Sequence, residues 1–178
     1  MTKAERRAAL DALALNRILI LDGAMGTQIQ TLKLDEAGYR GERFADWSCP
    51  IQGNNDILNL STPDAVRAIH KQYFDAGADM VETNTFSATV IAQADYKMES
   101  LAAEIASEGA RLAREAADEA EAETGSPKAV LGAIGPTNKT LSLSPNVEDP
   151  GFREVNFDQV RDAYAEQVLA MAEHVDFF

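Results

Sequence analysis

Short apolar runs alternate with amphipathic stretches along this chain. Four consecutive apolar residues at 18–21 predict a short strand buried on both faces, because no polar residue alternates with them. Residues 78–86 and 129–134 predict a second and a third strand, and each is followed by polar residues. Residues 172–178 repeat the approach to the second strand, which predicts a fourth strand in which the chain is cut short.

Helical periodicity fills the intervals between these runs. A first amphipathic helix is predicted over 2–16, and a second begins at Thr62, the expected N-cap, and ends near Gly77. The longest pattern covers 99–124. The last helix opens on a capping box, and its apolar face is predicted to comprise Phe157, Val160, Tyr164, Val168 and Met171.

Two long polar segments, about 23–61 and 135–155, show no clear period and are rich in glycine, proline and asparagine. Structureless connections of that length are unusual in compact domains and are often functional. Both are therefore predicted to be active-site loops.

Alternating strands and helices predict an α/β fold with a parallel sheet. An open doubly wound sheet and part of a (β/α)8 barrel are the two possible closures. Since a full barrel needs about 250 residues, four strands in 178 residues correspond to half of one. Polar residues end every complete strand, which favours the barrel, whose sites are assembled from several strand ends. We therefore predict that residues 1–178 supply the first four β/α units of a (β/α)8 TIM-type barrel.

The turn after the first strand carries the clearest candidate chemistry. Gly23 and Gly26 allow backbone N–H groups to approach a ligand closely, and Asp22 places a carboxylate beside them. Such a loop suits a small zwitterion, with amides facing its carboxylate and Asp22 facing its ammonium. An ordinary turn in which Asp22 caps the backbone is the alternative. A phosphate cradle is disfavoured, because no Lys or Arg lies near and no helix start is expected to follow closely.

Composition narrows the choice of partner and location. The net charge of −13 argues against binding to nucleic acid or to an anionic membrane surface. No apolar run approaches the roughly 20 residues of a membrane span, and the N-terminus lacks a secretory h-region. The single cysteine, Cys49, excludes an internal disulfide framework and fits a reducing compartment. The predicted location is the cytoplasm.

Five segments in order resemble the N-terminal homocysteine-binding domain of cobalamin-dependent methionine synthase. They are DGAMGT at 22–27, GYRGERF at 38–44, GNND at 53–56, ETNTF at 82–86 and GPTNKTLSLSP at 135–145. The first is shared with related thiol methyltransferases, including the betaine-dependent enzyme, whereas the last points more narrowly to the cobalamin enzyme.

The resemblance implies a methyltransferase barrel whose mouth binds homocysteine and zinc. The metal converts the thiol to a thiolate, which takes a methyl group from methylcobalamin to give methionine. Methylcobalamin is in turn reloaded from 5-methyltetrahydrofolate, so the implied partners include folate- and cobalamin-binding domains. Carried over by position, the substrate-binding residues are Asp22, Gly23, Ala24, Met25, Gly26, Thr27, Glu82, Thr83 and Asn84. A further part of the pocket is expected at Gly135, Pro136, Thr137 and Asn138, whereas Phe86 is expected to support packing.

The chain departs from that family pattern at the metal. The resemblance implies three zinc-ligating cysteines on later strands, but only Cys49 is present, and His70 and His174 fall on predicted helices as surface or helix-terminal residues. We therefore predict no metal ligand and no catalytic residue within these residues, and no turnover by the isolated chain. Two alternatives stay open: a non-catalytic half-barrel that self-associates or pairs with another half through open sheet edges, and a thiol methyltransferase using another donor such as betaine.

Overall fold

Parallel backbone segments form the centre of the molecule. In the computed structural model, which describes residues 1–178, strand β1 (Met80–Glu82) pairs in parallel with strand β2 (Ala129–Leu131). Isolated parallel bridges join Leu21 to Met80 and Leu131 to Phe177. The four predicted strand positions therefore lie side by side in chain order, although only the two central ones form regular strands.

Eight α-helices accompany these segments. The four long ones were predicted from periodicity and are α1 (Lys3–Ala14), α5 (Pro63–Asp75), α7 (Ala102–Thr124) and α8 (Phe157–Met171). The four short ones are α2 (Met25–Thr31), α3 (Glu36–Arg40), α4 (Leu58–Ser61) and α6 (Val90–Gln93). Short 3-10 turns occupy Asn55–Ile57, Ala94–Tyr96 and Glu99–Leu101.

Of the two predicted N-terminal caps, the one at α8 forms and the side-chain cap at α5 does not. The predicted capping box of α8 is confirmed: Asn156 accepts from the N–H of Gln159 at 2.9 Å, and the Gln159 side chain accepts from the N–H of Asn156 at 2.8 Å. Thr62 precedes α5 as expected, but its hydroxyl is buried and makes no hydrogen bond. Pro63 at the first helical position therefore carries the start signal of α5.

The core lies between α7, its neighbouring helices and the two strands. One face of α7 is made of small residues, with Ala106, Ala110, Ala113 and Ala117 all fully buried. Small side chains allow α5 and α8 to approach this helix closely, so that its backbone is packed against them. Glutamates occupy the opposite, solvated face.

Two expectations about burial are wrong. The run at 18–21 is not buried on both faces: Ile18 is 83% exposed and Ile20 is 51% exposed, because this segment is paired only on the side of Met80. Phe157 is 69% exposed, since α8 buries Ala163 and Gln167 together with Met171. Periodicity located these elements but not the face that each one covers.

The predicted loop at 23–61 is also wrong in part, because it contains three α-helices and a 3-10 turn. α2 begins at Met25, within the Gly-x-x-Gly turn itself, after Ala24 adopts a left-handed conformation at φ 39°. The Arg40 guanidinium donates to the carbonyls of Ala45, Trp47 and Cys49, so local side-chain hydrogen bonds hold the irregular backbone after α3. The segment at 135–155 has no helix or strand, as expected.

His70 was expected at the surface and is instead fully buried in α5. Neither ring nitrogen has a hydrogen-bond partner, and burial lowers the pKa of His70 to about 4. The residue lies on the same face as Val66 and Phe74, where the helical period places it in the core.

This burial predicts a loss of stability in acid. His70 takes up a proton near pH 6.5 in the unfolded chain but only near pH 4 in the folded chain. The free energy of unfolding is therefore unaffected by His70 above pH 6.5 and decreases as the pH falls from 6.5 toward 4. The full loss is about 3 kcal/mol, at about 1.4 kcal/mol per pKa unit. Urea unfolding at pH 7.5, 5.5 and 4.5 should show a shallower pH dependence for His70→Phe than for the wild type. His174→Gln is the control, and identical slopes for His70→Phe and the wild type would contradict the prediction.

Candidate functional site

An open cleft of about 450 Å³ lies where the parallel segments end. The turn at 22–26, residues 53–56 and residues 82–84 at the end of β1 all line the cleft. The remaining lining residues are Phe86, Ser87, Ala92, Asp95, Tyr96, Ala133 and Asn138. Strand ends thus meet at one face, which is the arrangement that the polar strand ends predicted.

Nine of the thirteen residues carried over by position line this cleft. They are Asp22, Gly23, Ala24, Met25, Gly26, Glu82, Thr83, Asn84 and Asn138. Thr27, Gly135, Pro136 and Thr137 lie outside it. Thr27 lies within α2. Gly135 packs closely on Phe86, since a Cβ added at Gly135 would lie 2.3 Å from the carbonyl oxygen of Phe86.

Asp22 is held at the edge of the cleft by the end of β1. Its N–H donates to the carbonyl of Met80, and its Oδ1 accepts from the N–H of Glu82, both at 2.9 Å. Burial raises the pKa of Asp22 to about 7 against the effect of that hydrogen bond. The carboxylate therefore caps the backbone with one oxygen, while Oδ2 has no partner in the protein. The N–H groups of Gly23 and Ala24 have no acceptor in the chain.

Asn84 supports the cleft with its side chain. The residue is 5% exposed, and its Nδ2 donates to the carbonyl of Asn55 at 2.9 Å and to Oδ1 of Asn59 at 3.0 Å. Asn59 in turn donates to the carbonyls of Asn84 and Ile105. Gly109 leaves room for this amide, since a Cβ there would lie 2.4 Å from Asn59 Nδ2. Buried amides thus fix the Asn55 backbone to the end of β1.

Several lining residues were not proposed from sequence. Asn54, Asn55 and Asp56 belong to the GNND segment, which carried the resemblance but was given no role. The signal for them was therefore present. Asp95 and Tyr96 carried no signal, because only the fold of the 3-10 turn at 94–96 brings them to the cleft.

Phe86 was expected to support packing rather than to contact substrate. Its ring packs against Gly135, but the residue is 57% exposed and lines the cleft. It supplies an apolar wall beside Ala92 and Ala133.

Negative charge dominates the cleft. Its lining includes Asp22, Asp56, Glu82 and Asp95 and no Lys, Arg or His. Such a lining favours a ligand with a cationic group and disfavours phosphate. The phosphate cradle therefore remains disfavoured, even though a helix starts at this turn.

The residues of this chain do not fit a zinc site. No group of three His, Cys, Asp or Glu side chains is placed to hold a metal ion. Cys49 Sγ instead donates to the carbonyl of Tyr96 at 3.2 Å, and the side chain of His70 is fully buried in the core. Zinc requires three or four such ligands converging at about 2.0–2.3 Å.

Comparison with known proteins places these observations in context. The sequence profile described as homocysteine S-methyltransferase matches residues 19–178. Crystal structures of the homocysteine methyltransferase MmuM from Escherichia coli share the fold. The metallated form has a TM-score of 0.66 and the oxidised form 0.67, each at 22% identity, and the apo form has 0.59 at 20% identity. The matches cover 93% of this chain but 54%, 53% and 49% of those chains, so it spans about half of their length.

The helices bear on membrane association as well. None is both long enough and apolar enough to cross a bilayer.

Proposed function

The chain belongs to the homocysteine S-methyltransferase family, and we propose that its cleft binds the amino-acid end of homocysteine for methylation at sulfur. The observation that carries the proposal is the turn at 22–26. There a carboxylate with one unpaired oxygen stands beside two main-chain N–H groups that have no acceptor in the chain. An amino acid presents the complementary pair, an ammonium and a carboxylate.

Each side of the cleft then has a defined task. The ammonium donates to Asp22, with Glu82 adding negative charge, while the N–H groups of Gly23 and Ala24 donate to the ligand carboxylate. The methylene groups and sulfur pack along the apolar wall that includes Phe86. A ligand bound through both of its charged groups is fixed in orientation, and fixing the reacting groups in a productive geometry accelerates a transfer reaction.

We further propose that residues 1–178 form the first four β/α units of a (β/α)8 barrel in a methionine synthase, with methylcobalamin as donor. The resemblance of GPTNKTLSLSP at 135–145 to the cobalamin enzyme supports this donor over betaine. When present, zinc in such enzymes makes the thiol a thiolate. Because the side chains here do not fit zinc, we assign these residues substrate binding and assign them no step of thiol activation.

Calorimetric titration of the 178-residue chain with reduced L-homocysteine tests the proposal. We expect saturable binding with and without zinc, and no stoichiometric tight binding of zinc alone. Thr27→Ala is the control, because Thr27 lies in the same motif but outside the cleft and should leave the affinity unchanged. Tight zinc binding at one ion per chain, or no binding of homocysteine, would contradict it.

A second candidate function, assembly with a copy of itself or with another half-barrel, is supported by the edge at 18–21. Ile18 and Ile20 are exposed there, and the N–H groups of Leu19 and Leu21 have no acceptor. Unpaired edges of this kind recruit further strands. Light scattering at high protein concentration distinguishes the two: a dimer supports assembly, whereas a monomer counts against it.

A further inference from the structure

We propose that Asp56 is a specificity-determining residue of the cleft, which accepts a hydrogen bond from the ammonium group of the bound amino acid. The inference rests on the proposed function and deepens it. It adds a second carboxylate, from a different segment of the chain, to the one that the motif at 22–27 supplies.

The geometry of Asp56 matches that of Asp22. Asp56 Oδ2 accepts from the N–H of Ser87 at 2.5 Å, as Asp22 Oδ1 accepts from the N–H of Glu82. No other donor in the protein reaches either carboxylate, so each retains one oxygen without a partner. An ammonium has three N–H bonds, so it can donate to more than one carboxylate.

The two carboxylates belong to segments that are in contact. A Cβ added at Gly26 would lie 3.8 Å from Nδ2 of Asn55, the residue next to Asp56. Asn55 is itself held by the Tyr39 hydroxyl at 2.8 Å and through its carbonyl by Asn84. Asp56 therefore stands on a fixed segment beside the Asp22 turn and faces the same cleft.

A purely structural role does not account for a carboxylate at this position. Asp56 is 4% exposed and has no cationic partner, and the amide oxygen of an asparagine could also accept from the N–H of Ser87. Burial of an unpaired carboxylate costs free energy, and such groups in clefts mark functional sites. A cationic ligand supplies the missing partner.

The same arrangement predicts release of a proton on binding. Burial raises the pKa of Asp56 to about 7, and a bound ammonium favours the ionised carboxylate. Asp22, Glu82, Asp95 and Tyr96 are the other titratable groups lining the cleft, and none of them is cationic. Binding near pH 7 should therefore release protons to the buffer, and part of that release should disappear in Asp56→Asn.

Changing the protein and the ligand in combination tests the proposal on the intact 178-residue chain. Calorimetry would compare wild type and Asp56→Asn with two probes, reduced L-homocysteine and 4-mercaptobutyrate, which lacks the amine. We expect Asp56→Asn to weaken homocysteine binding about 10- to 100-fold and 4-mercaptobutyrate binding less than about 3-fold. Titrations in phosphate and in Tris would measure the protons released.

Each outcome has a defined meaning. Loss of affinity confined to the amine-bearing probe, with fewer protons released, supports the assignment. Equal losses for both probes, or no loss for homocysteine, would overturn it while leaving the proposed function intact. Failure of the wild type to bind homocysteine would overturn both. The melting temperature of Asp56→Asn should not fall, because the substitution removes a buried charge and keeps the acceptor for Ser87.

Discussion

The Asp22→Asn variant is expected to lose most of its affinity for homocysteine while becoming no less stable. Asparagine keeps an acceptor for the N–H of Glu82, so the turn at 22–26 should retain its shape. It removes the negative charge that faces the ligand ammonium. A hydrogen bond to a charged group contributes about 1.5–3 kcal/mol, so the dissociation constant should rise about 10- to 150-fold. Calorimetric titration with L-homocysteine measures this change.

The change in stability of the same variant with pH distinguishes a role of Asp22 in binding from a role in folding. Burial raises the pKa of Asp22 to about 7, well above that of an unfolded aspartate. Ionisation of Asp22 therefore destabilises the folded chain as the pH rises from about 4 through 7, and the variant lacks this effect. Its melting temperature relative to the wild type should increase between pH 4.5 and 8. A variant that loses homocysteine binding and also unfolds more readily at pH 8 would show that Asp22 is chiefly a structural cap.

The Asp176→Ala variant is expected to lose about 3–5 kcal/mol of stability, the range for breaking a buried ion pair. The Asp176 side chain is 1% exposed and accepts from Arg6 Nη1 at 2.9 Å, from Arg114 Nη1 at 2.8 Å and from the N–H of Val130 at 2.9 Å. Removing it leaves the N–H of Val130 in β2 without an acceptor. The nearly buried Arg6 guanidinium loses its shortest carboxylate contact and keeps only the longer ones to Asp118 at 3.4 Å and Glu121 at 3.2 Å. At about 2–4 °C per kcal/mol for a chain of this size, the melting temperature should fall by about 6–20 °C.

Asp162→Ala is the matched control for this measurement. Asp162 pairs with Arg161 at 2.7 Å, but its side chain is 68% exposed. Exposed pairs contribute at most about 1 kcal/mol, because water and salt screen them. Chemical unfolding of both variants should give clearly different losses. A loss below about 1 kcal/mol for Asp176→Ala would mean that the buried network contributes no more than a surface pair.

Elements and their order could be read from the sequence with little error. The apolar runs near residues 80 and 130 became the paired strands, and the long patterns became α1, α5, α7 and α8. The burial of individual residues could be predicted from the sequence less accurately. Ile18 and His70 were placed on the wrong side of the protein–solvent boundary, because a residue's burial depends on which neighbours reach it and not on its own polarity.

The candidate site divides in a similar way. The DGAMGT turn and the polar end of β1 could be proposed from residue type, because glycines beside a carboxylate suit a zwitterionic ligand, although they also suit a turn in which Asp22 caps the backbone. Asp95, Tyr96 and the exposed ring of Phe86 were not identifiable, because the 3-10 turn and the packing on Gly135 that bring them to the cleft have no local signature.

By itself, the sequence determined the alternation of strands and helices, the family and the acidic turn after the first strand, because these depend on periodicity and on residue type at short spacing. Only the tertiary structure decided that the Asn84 amide supports the cleft and that His70 is buried. It also decided that Asp56 lines the same cleft as Asp22 and has no cationic partner there. Those outcomes depend on contacts between residues far apart in the chain, which no local pattern of hydrophobic and polar positions encodes.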